Sequence, residues 1–421
     1  MHIRYVSHAL FRSALLGSTL AVATLTSATA ATQPRAEWKH MMAATGGHST
    51  ALHNSAASGF NTANTPGKYT IVHNFAGGTS DGSGSTAEVT LDKSGNIFGT
   101  AGFDGANGGG VIFEIASGGT ETLLHSFGGA GDGTTPDGAL TILSNGDIYG
   151  TTQDGGASAN GTIYKLAAGG TYTVLHSFTT SEGSFIRGRL VQDKKGNFYG
   201  TALFGGTPGY GTVFEYSTKG KLTILHAFNS TDGEYPEHGL VRDKAGNLYG
   251  VTAFGGANDN GTVYRIATDG TFSTLYNFTG GADGGFLYGG LAIDKSGNLY
   301  GNTASGGANG DGSVFKLAAN GTLTTLYSFK GNTDVGAPEG DVLLVGKTIY
   351  STATIGGDPT CQCGGVYEVT NKGKESVLQN FTTTNGDGYA AGLTAASKKS
   401  FYGTTAGGGA NGNGVVFALT K

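Results

Sequence analysis

The side chains of this 421-residue chain that could do chemistry sort by position before any element is assigned. Of the ten histidines, His73, His125, His176 and His226 share one recurring slot, Leu/Val-His-x-Phe, and five others lie before residue 54. His238 alone stands outside both groups. It follows Glu237 in a column where copies of the surrounding sequence carry Ala87, Gly138, Gly188, Gly289, Gly340 and Ala391. The column beside it reads Thr86, Asp137, Arg187, Glu237, Tyr288, Glu339 and Ala390, and the next adds Glu88, Arg189 and Asp341. Phe204, Tyr210, Tyr235, Phe254 and Phe286 belong to the same three copies as Arg187, Glu237 and Tyr288. Aromatic faces beside arginine and carboxylate suit a sugar, and an acidic sugar in particular, because arginine forks to a uronate carboxylate. Drift among surface loops would also scatter polar residues over these positions.

The same residues can be written as an enzyme. Glu237 or His238 would be the base, Tyr235 or Tyr288 the acid, and Arg187 would neutralise a uronate during β-elimination. Alternatively Glu237, with Asp137 or Glu339, would hydrolyse a glycosidic bond. Neither arrangement is a motif. The four slotted histidines are read as outer-strand packing, and a metal centre needs several convergent ligands, so no metal is expected. The recurring Asp-Gly pairs (Asp81, Asp132, Asp232, Asp283, Asp387) lack the oxygen ladder of a calcium loop and read as turns. No glycine-rich stretch links a strand to a helix, so no nucleotide or other cofactor is expected. Cys361 and Cys363 are the only cysteines; they are expected to form a local disulfide, with pairing to another molecule or a reduced state as alternatives.

What positions these residues is a repeat. The segment from Leu240, LVRDKAGNLYGVTAFGGANDNGTVYRIATDGTFSTLYNF, recurs from Leu190 and Leu291 almost word for word, and more loosely from Val89, Leu140, Val342 and Leu393. Its closing aromatic falls at Phe75, Phe127, Phe178, Phe228, Phe278, Phe329 and Phe381, a period of about 50 residues. Each unit divides into four strand-like runs separated by turns rich in glycine, which describes a propeller blade. The run Tyr69–Phe75 is a fourth strand without a blade, and the last unit stops after its third strand. The fold predicted is therefore all-β: a seven-bladed β-propeller of four antiparallel strands per blade over residues 69–421, closed by the N-terminal strand (69–75) joining the C-terminal blade. The chemistry-bearing columns lead into the innermost strands and should ring one mouth of the central channel.

The unit also resembles a known family, the GloVer tandem-repeat proteins, whose unit reads roughly D-x-x-G-N-L-Y-G-T-T-x-x-G-G-x-x-x-x-G-T-V-F. Asp243, Gly246, Asn247, Leu248, Tyr249, Gly250, Thr252, Gly255, Gly256, Gly261, Thr262 and Val263 match it within one copy. The resemblance implies an exported bacterial protein and attaches no activity to the repeat. The G-N-L-Y-G element is also similar to NHL-type propellers.

Composition narrows the partners. Residues 1–30 read as a secretory signal peptide: Arg4 and Arg12, an apolar stretch from Ala14 to Leu25, then Ala28-Thr29-Ala30. Without them the chain keeps 23 basic residues against 30 acidic, with no basic cluster, so nucleic acid is disfavoured. No later segment reaches membrane-spanning length. Residues 31–68 match no copy and read as a disordered leader. The expectation is a secreted, periplasmic or cell-surface monomer that binds a poly- or oligosaccharide. A carbohydrate-active enzyme and a purely structural envelope repeat protein are the alternatives.

Overall fold

The computed structural model describes residues 68–331 and 334–421; the expected signal peptide (1–30) and nearly all of the leader (31–68) lie outside them. The described residues form seven antiparallel sheets of four or five strands, blades 1 to 7, and two small two-stranded ribbons; the inner strands of the blades begin at Thr90, Thr141, Val191, Val241, Ala292, Leu343 and Thr394. Blade 4 shows the plan: Val241–Arg242, Leu248–Thr252, Thr262–Ile266 and Phe272–Asn277 pair in that order. The inner strand is only two residues long, shorter than its sequence suggests. Blades 6 and 7 gain a fifth strand, Val335–Pro338 and Asp387–Ala390, which extends the long second strands Thr348–Gly356 and Ser400–Gly407. Among the described residues the only helical turn is Gly78–Ser80, and no helix is long and apolar enough to cross a membrane.

The first strand, Lys68–Asn74, pairs antiparallel with the last, Val415–Thr420, as the fourth strand of blade 7. From that blade Thr404 Oγ1 donates to the Ala87 carbonyl and Thr394 Oγ1 to the Val89 carbonyl, at 2.9 and 2.5 Å. Equivalent bonds join blades 1 and 2, from Thr90 to Leu140 (2.8 Å), and blades 2 and 3, from Thr141 to Leu190 (2.7 Å).

The recurring aromatics form the seams. Phe75, Phe127, Phe178, Phe228, Phe278, Phe329 and Phe381 are fully buried, and each packs against an aromatic of the following blade. The partners are Phe113, Tyr164, Phe214, Tyr264, Phe315, Tyr367 and Phe417, with ring centroids 4.8–5.6 Å apart. One such ring contributes about 2–3 kcal/mol by burial and roughly 1 kcal/mol by its edge-on geometry. The glycine of G-N-L-Y-G makes room for this ring: a Cβ on Gly250 would meet Tyr264 Oη at 2.4 Å.

The recurring His slot also has a framework role. His125 Nε2 lies 2.9 Å from Asp132 Oδ2 and His226 Nε2 lies 3.1 Å from Asp232 Oδ2, so at these seams the slot ties the Asp-Gly turn to the outer strand. Tyr276 and Tyr327 do the same for Asp283 and Asp334, at 3.0 and 2.6 Å. Cys361 and Cys363 are joined by a disulfide in the long loop of blade 6.

Candidate functional site

Each blade is preceded by a lead-in segment that passes beneath its Gly-Gly loop and then enters the inner strand. One residue in that segment is left-handed in every blade: Gly84, Thr135, Phe185, Tyr235, Phe286, Ala337 and Gly388, with φ between 47 and 74°. The cause is a pair of backbone bonds. The Tyr235 amide donates to the Tyr210 carbonyl of blade 3 at 2.9 Å, and its carbonyl accepts from the Ala253 amide of blade 4 at 3.0 Å. Phe286 is held likewise between Asn260 and Ala304, and Gly84 between Asn413 and Gly102. Glycine suits such a backbone best, and a bulky side chain there costs about 1–2 kcal/mol. Blades 3, 4 and 5 nevertheless carry Phe185, Tyr235 and Phe286. Each keeps its ring there against that strain.

These three rings belong to one continuous aromatic shelf. Phe185 meets Phe204 at 5.4 Å, Phe204 meets Tyr235 at 5.3 Å, and Tyr235 meets Tyr210 at 6.3 Å and Phe254 at 6.0 Å. Phe254 then touches Phe286 at 5.0 Å and Tyr288 at 6.1 Å. All seven are half-buried, so each leaves part of its surface to solvent. Phe204 and Phe254 reach the shelf because the Gly-Gly loops pair back onto the lead-in segments, Phe204 with Ser184 and Phe254 with Glu234.

Beside the shelf, charged side chains from the lead-in segments cross the channel. Arg187 sets Nε and Nη2 on Asp137 Oδ2 at 2.8 and 2.7 Å, and its Nη1 lies 3.7 Å from Glu237 Oε2. Gln153 donates to the same oxygen of Asp137. His238 Nδ1 lies 2.8 Å from Asp341 Oδ1 in blade 6, and its Nε2 faces the Tyr389 hydroxyl of blade 7 at 3.2 Å. Arg189 reaches across to Glu88 at 3.4 Å and donates to the Leu140 carbonyl at 3.0 Å. Small residues make the crossings possible: a Cβ on Gly392 would meet Glu88 Oε1 at 2.3 Å, and one on Gly290 would meet Asp341 Oδ1 at 2.7 Å.

Glu88, Asp137, Glu237, Glu339 and Asp341 outnumber Arg187, Arg189 and His238, and burial acts on nearly all of them. Burial, then repulsion from Glu237, pushes Glu339 up to about 8. Glu237 is raised by burial, with Arg187 and His238 pulling the other way. Burial opposes a charge on His238, yet Asp341 through attraction and hydrogen bond, with Glu237, lifts it above the ordinary imidazole value. Asp341 is lowered: burial works against it, and His238 outweighs burial. Burial, with Glu237 and Glu339, holds the Tyr288 hydroxyl well above the usual phenol range. Tyr288 therefore joins the aromatic shelf to the acidic network.

Arg187, Glu237, His238 and Tyr288 are thus brought together, with Tyr235, Phe204, Tyr210, Phe254 and Phe286 alongside; Arg189 lies in the same channel, paired to Glu88. Arg187 does not stand free in the fold: it lies on Asp137 and within 3.7 Å of Glu237. His238 is oriented on both sides, with Nδ1 on Asp341 and Nε2 on the Tyr389 hydroxyl. Sequence reasoning missed Phe185, Gln153 and Tyr389. Phe185 shares its column with Tyr235 and Phe286, and Tyr389 is the one aromatic in a column otherwise holding Ser85, Pro136, Ile186, Pro236, Leu287 and Pro338.

Solved structures share the fold at low identity. A streptogramin B lyase structure matches with a TM-score of 0.58 and 16% identity over 84% of this chain and 98% of its own. A chain of the mitotic checkpoint complex matches with a TM-score of 0.52 and 10% identity, over 89% of this chain and 99% of its own. PorZ, a bacterial surface component of the type-IX secretion system of Porphyromonas gingivalis, gives a TM-score of 0.50 and 14% identity, over 82% of this chain and 47% of its own. No functionally curated protein matches the chain in sequence. The sequence profile of the Gloeobacter/Verrucomicrobia repeat matches residues 41–251 and 238–421, in keeping with the unit quoted above, and the chain belongs to that repeat family.

Proposed function

We propose that the protein is an exported β-propeller that binds a neutral oligo- or polysaccharide on the aromatic shelf of blades 3 to 5. One observation carries the reading: Phe185, Tyr235 and Phe286 sit at left-handed positions, where glycine would be easier, and form a continuous half-exposed surface with Phe204, Phe254 and Tyr288. Sugar rings present C–H faces that stack on such rings, while their hydroxyls hydrogen-bond to carboxyl groups. Glu237 and Glu339 border the shelf through Tyr288. The surplus of acids over free cations favours neutral sugars over uronates. Export rests on the charged, apolar and Ala-x-Ala pattern of residues 1–30.

Binding without turnover is favoured over lyase or hydrolase chemistry, since the continuous half-exposed surface is aromatic, whereas Glu237, the residue common to both reactions, is buried. A glycan array spanning neutral and uronate-containing oligosaccharides, followed by assays for reducing ends and unsaturated uronates, tests this. Retention of neutral glycans with no new ends supports the reading. Preference for uronates, or release of unsaturated product, overturns it.

A further inference from the structure

Seven seams of one design allow each to be read against the others. At six seams an outer-strand residue faces the connecting turn, and the first residue of the next outer strand stands at the covering position. Between blades 1 and 2 these are His125, Asp132 and Tyr172, the His125 ring stacking on Tyr172 at 3.8 Å. Between blades 3 and 4 they are His226, Asp232 and Phe272, with stacking at 3.7 Å. Leu222 and Leu323 occupy the covering position at two more seams. An apolar or aromatic lid is the rule.

The seam between blades 7 and 1 departs from it. There the lid is Glu121. His73 Nε2 lies 3.2 Å from Asp81 Oδ2 and 3.4 Å from Glu121 Oε2. A ring nitrogen carries at most one hydrogen and cannot satisfy both carboxylates. Glu121 Oε1 is buried without a hydrogen-bond partner among the described residues. The three side chains are only 20, 7 and 16% exposed. Asp81 is fixed further by the Ala76 and Gly82 amides, each at 2.6 Å. The other acidic lid, Glu375, covers Tyr327 instead of a histidine, and that hydroxyl donates to Asp334 at 2.6 Å. Among the described residues only the seam between blades 7 and 1 joins an imidazole to two carboxylates.

We propose that His73 Nε2, Asp81 Oδ2 and Glu121 Oε2 bind a divalent transition metal, Zn²⁺ in particular, across the seam where the strand Lys68–Asn74 meets blade 1. The three ligand atoms lie within 4.8 Å of one another. Tetrahedral zinc with bonds of about 2.0–2.2 Å places its ligand atoms about 3.3–3.6 Å apart, and the two nitrogen-to-oxygen separations lie close to that spacing. One imidazole and two carboxylates suit zinc better than calcium or magnesium, which take oxygen alone. The ion would tie the first strand of the chain, on blade 7, to the first blade.

The test is titration of the chelator-treated protein with zinc chloride, followed by calorimetry and by thermal unfolding. Two variants use residues that the repeat itself places at equivalent positions: Glu121→Tyr, as at Tyr172, and His73→Tyr, as at Tyr276. Wild type is expected to bind one equivalent and to unfold at a higher temperature with zinc. Both variants are expected to fold, to bind at least tenfold more weakly, and to lose the zinc-dependent shift. The proposal is overturned if wild type binds no stoichiometric zinc. It is equally overturned if both variants bind zinc as wild type does, since the metal would then sit elsewhere.

Discussion

Arg187 of blade 3 grips Asp137 of blade 2 with both Nε and Nη2, at 2.8 and 2.7 Å, where both side chains are largely out of solvent. Removing one partner would leave the other charge buried and unpaired. Arg187→Met is therefore expected to lower stability by about 3–5 kcal/mol, and the double variant with Asp137→Leu to recover much of that loss. Urea unfolding of the single and double variants measures both. Equal loss in both would show that the pair is not the source.

The left-handed positions separate backbone strain from side-chain use. Tyr235→Gly and Tyr235→Ala remove the same ring contacts, but only glycine relieves a φ of 58°. The glycine variant is expected to be more stable than the alanine variant by about 1 kcal/mol, with the same order at Phe185 and Phe286. Chemical denaturation of the paired variants gives the difference directly.

Buried acids set the pH dependence. Glu339 in the folded chain keeps its proton up to about 8, whereas the ordinary value is 4.5. Between these limits the folded state holds the extra proton, so this group makes stability fall as pH rises. His238, raised by its partners against burial, acts in the same direction: its contribution is full below 6.5 and is lost as pH climbs through its folded value. Asp341, lowered chiefly by His238 against burial, contributes above 3.8 and loses that contribution as pH falls through its folded value. Glu339→Gln is expected to match wild type near pH 4.5 and to exceed it near pH 8.5, read as urea midpoints. A midpoint difference that does not vary with pH would contradict this assignment.

The repeat supplies its own controls for the core. Among the described residues the buried Tyr164 and Tyr264 hydroxyls have no hydrogen-bond partner, and four other blades use phenylalanine in that slot. Tyr264→Phe is expected to be neutral or to stabilise by about 1 kcal/mol. Phe228→Ala, which empties the neighbouring seam, is expected to cost about 3–5 kcal/mol. Thermal unfolding distinguishes the two outcomes.

The blades were legible because glycine turns and buried aromatics recur at a fixed period, and because Tyr69–Phe75 reads as a strand lacking a blade. The polar columns were legible as departures from small residues. What a column does not reveal is which side chain crosses the channel. His238 meets Tyr389, 151 residues away, and Arg187 meets Asp137, so a cation that looked free in sequence is neutralised in the fold. Phe185 escaped notice because its importance lies in a backbone angle imposed by neighbouring loops. Glu121 looked like an ordinary strand residue until the seam set it opposite His73.

The most direct measurement is calorimetric titration of a neutral oligosaccharide, chosen from the array, into wild type and into Tyr235→Gly and Phe286→Gly. Each lost stacking ring is expected to weaken binding by roughly tenfold while both variants remain folded. Affinity unchanged in both variants, or a wild type that binds uronates and not neutral sugars, would contradict the aromatic shelf as the binding surface.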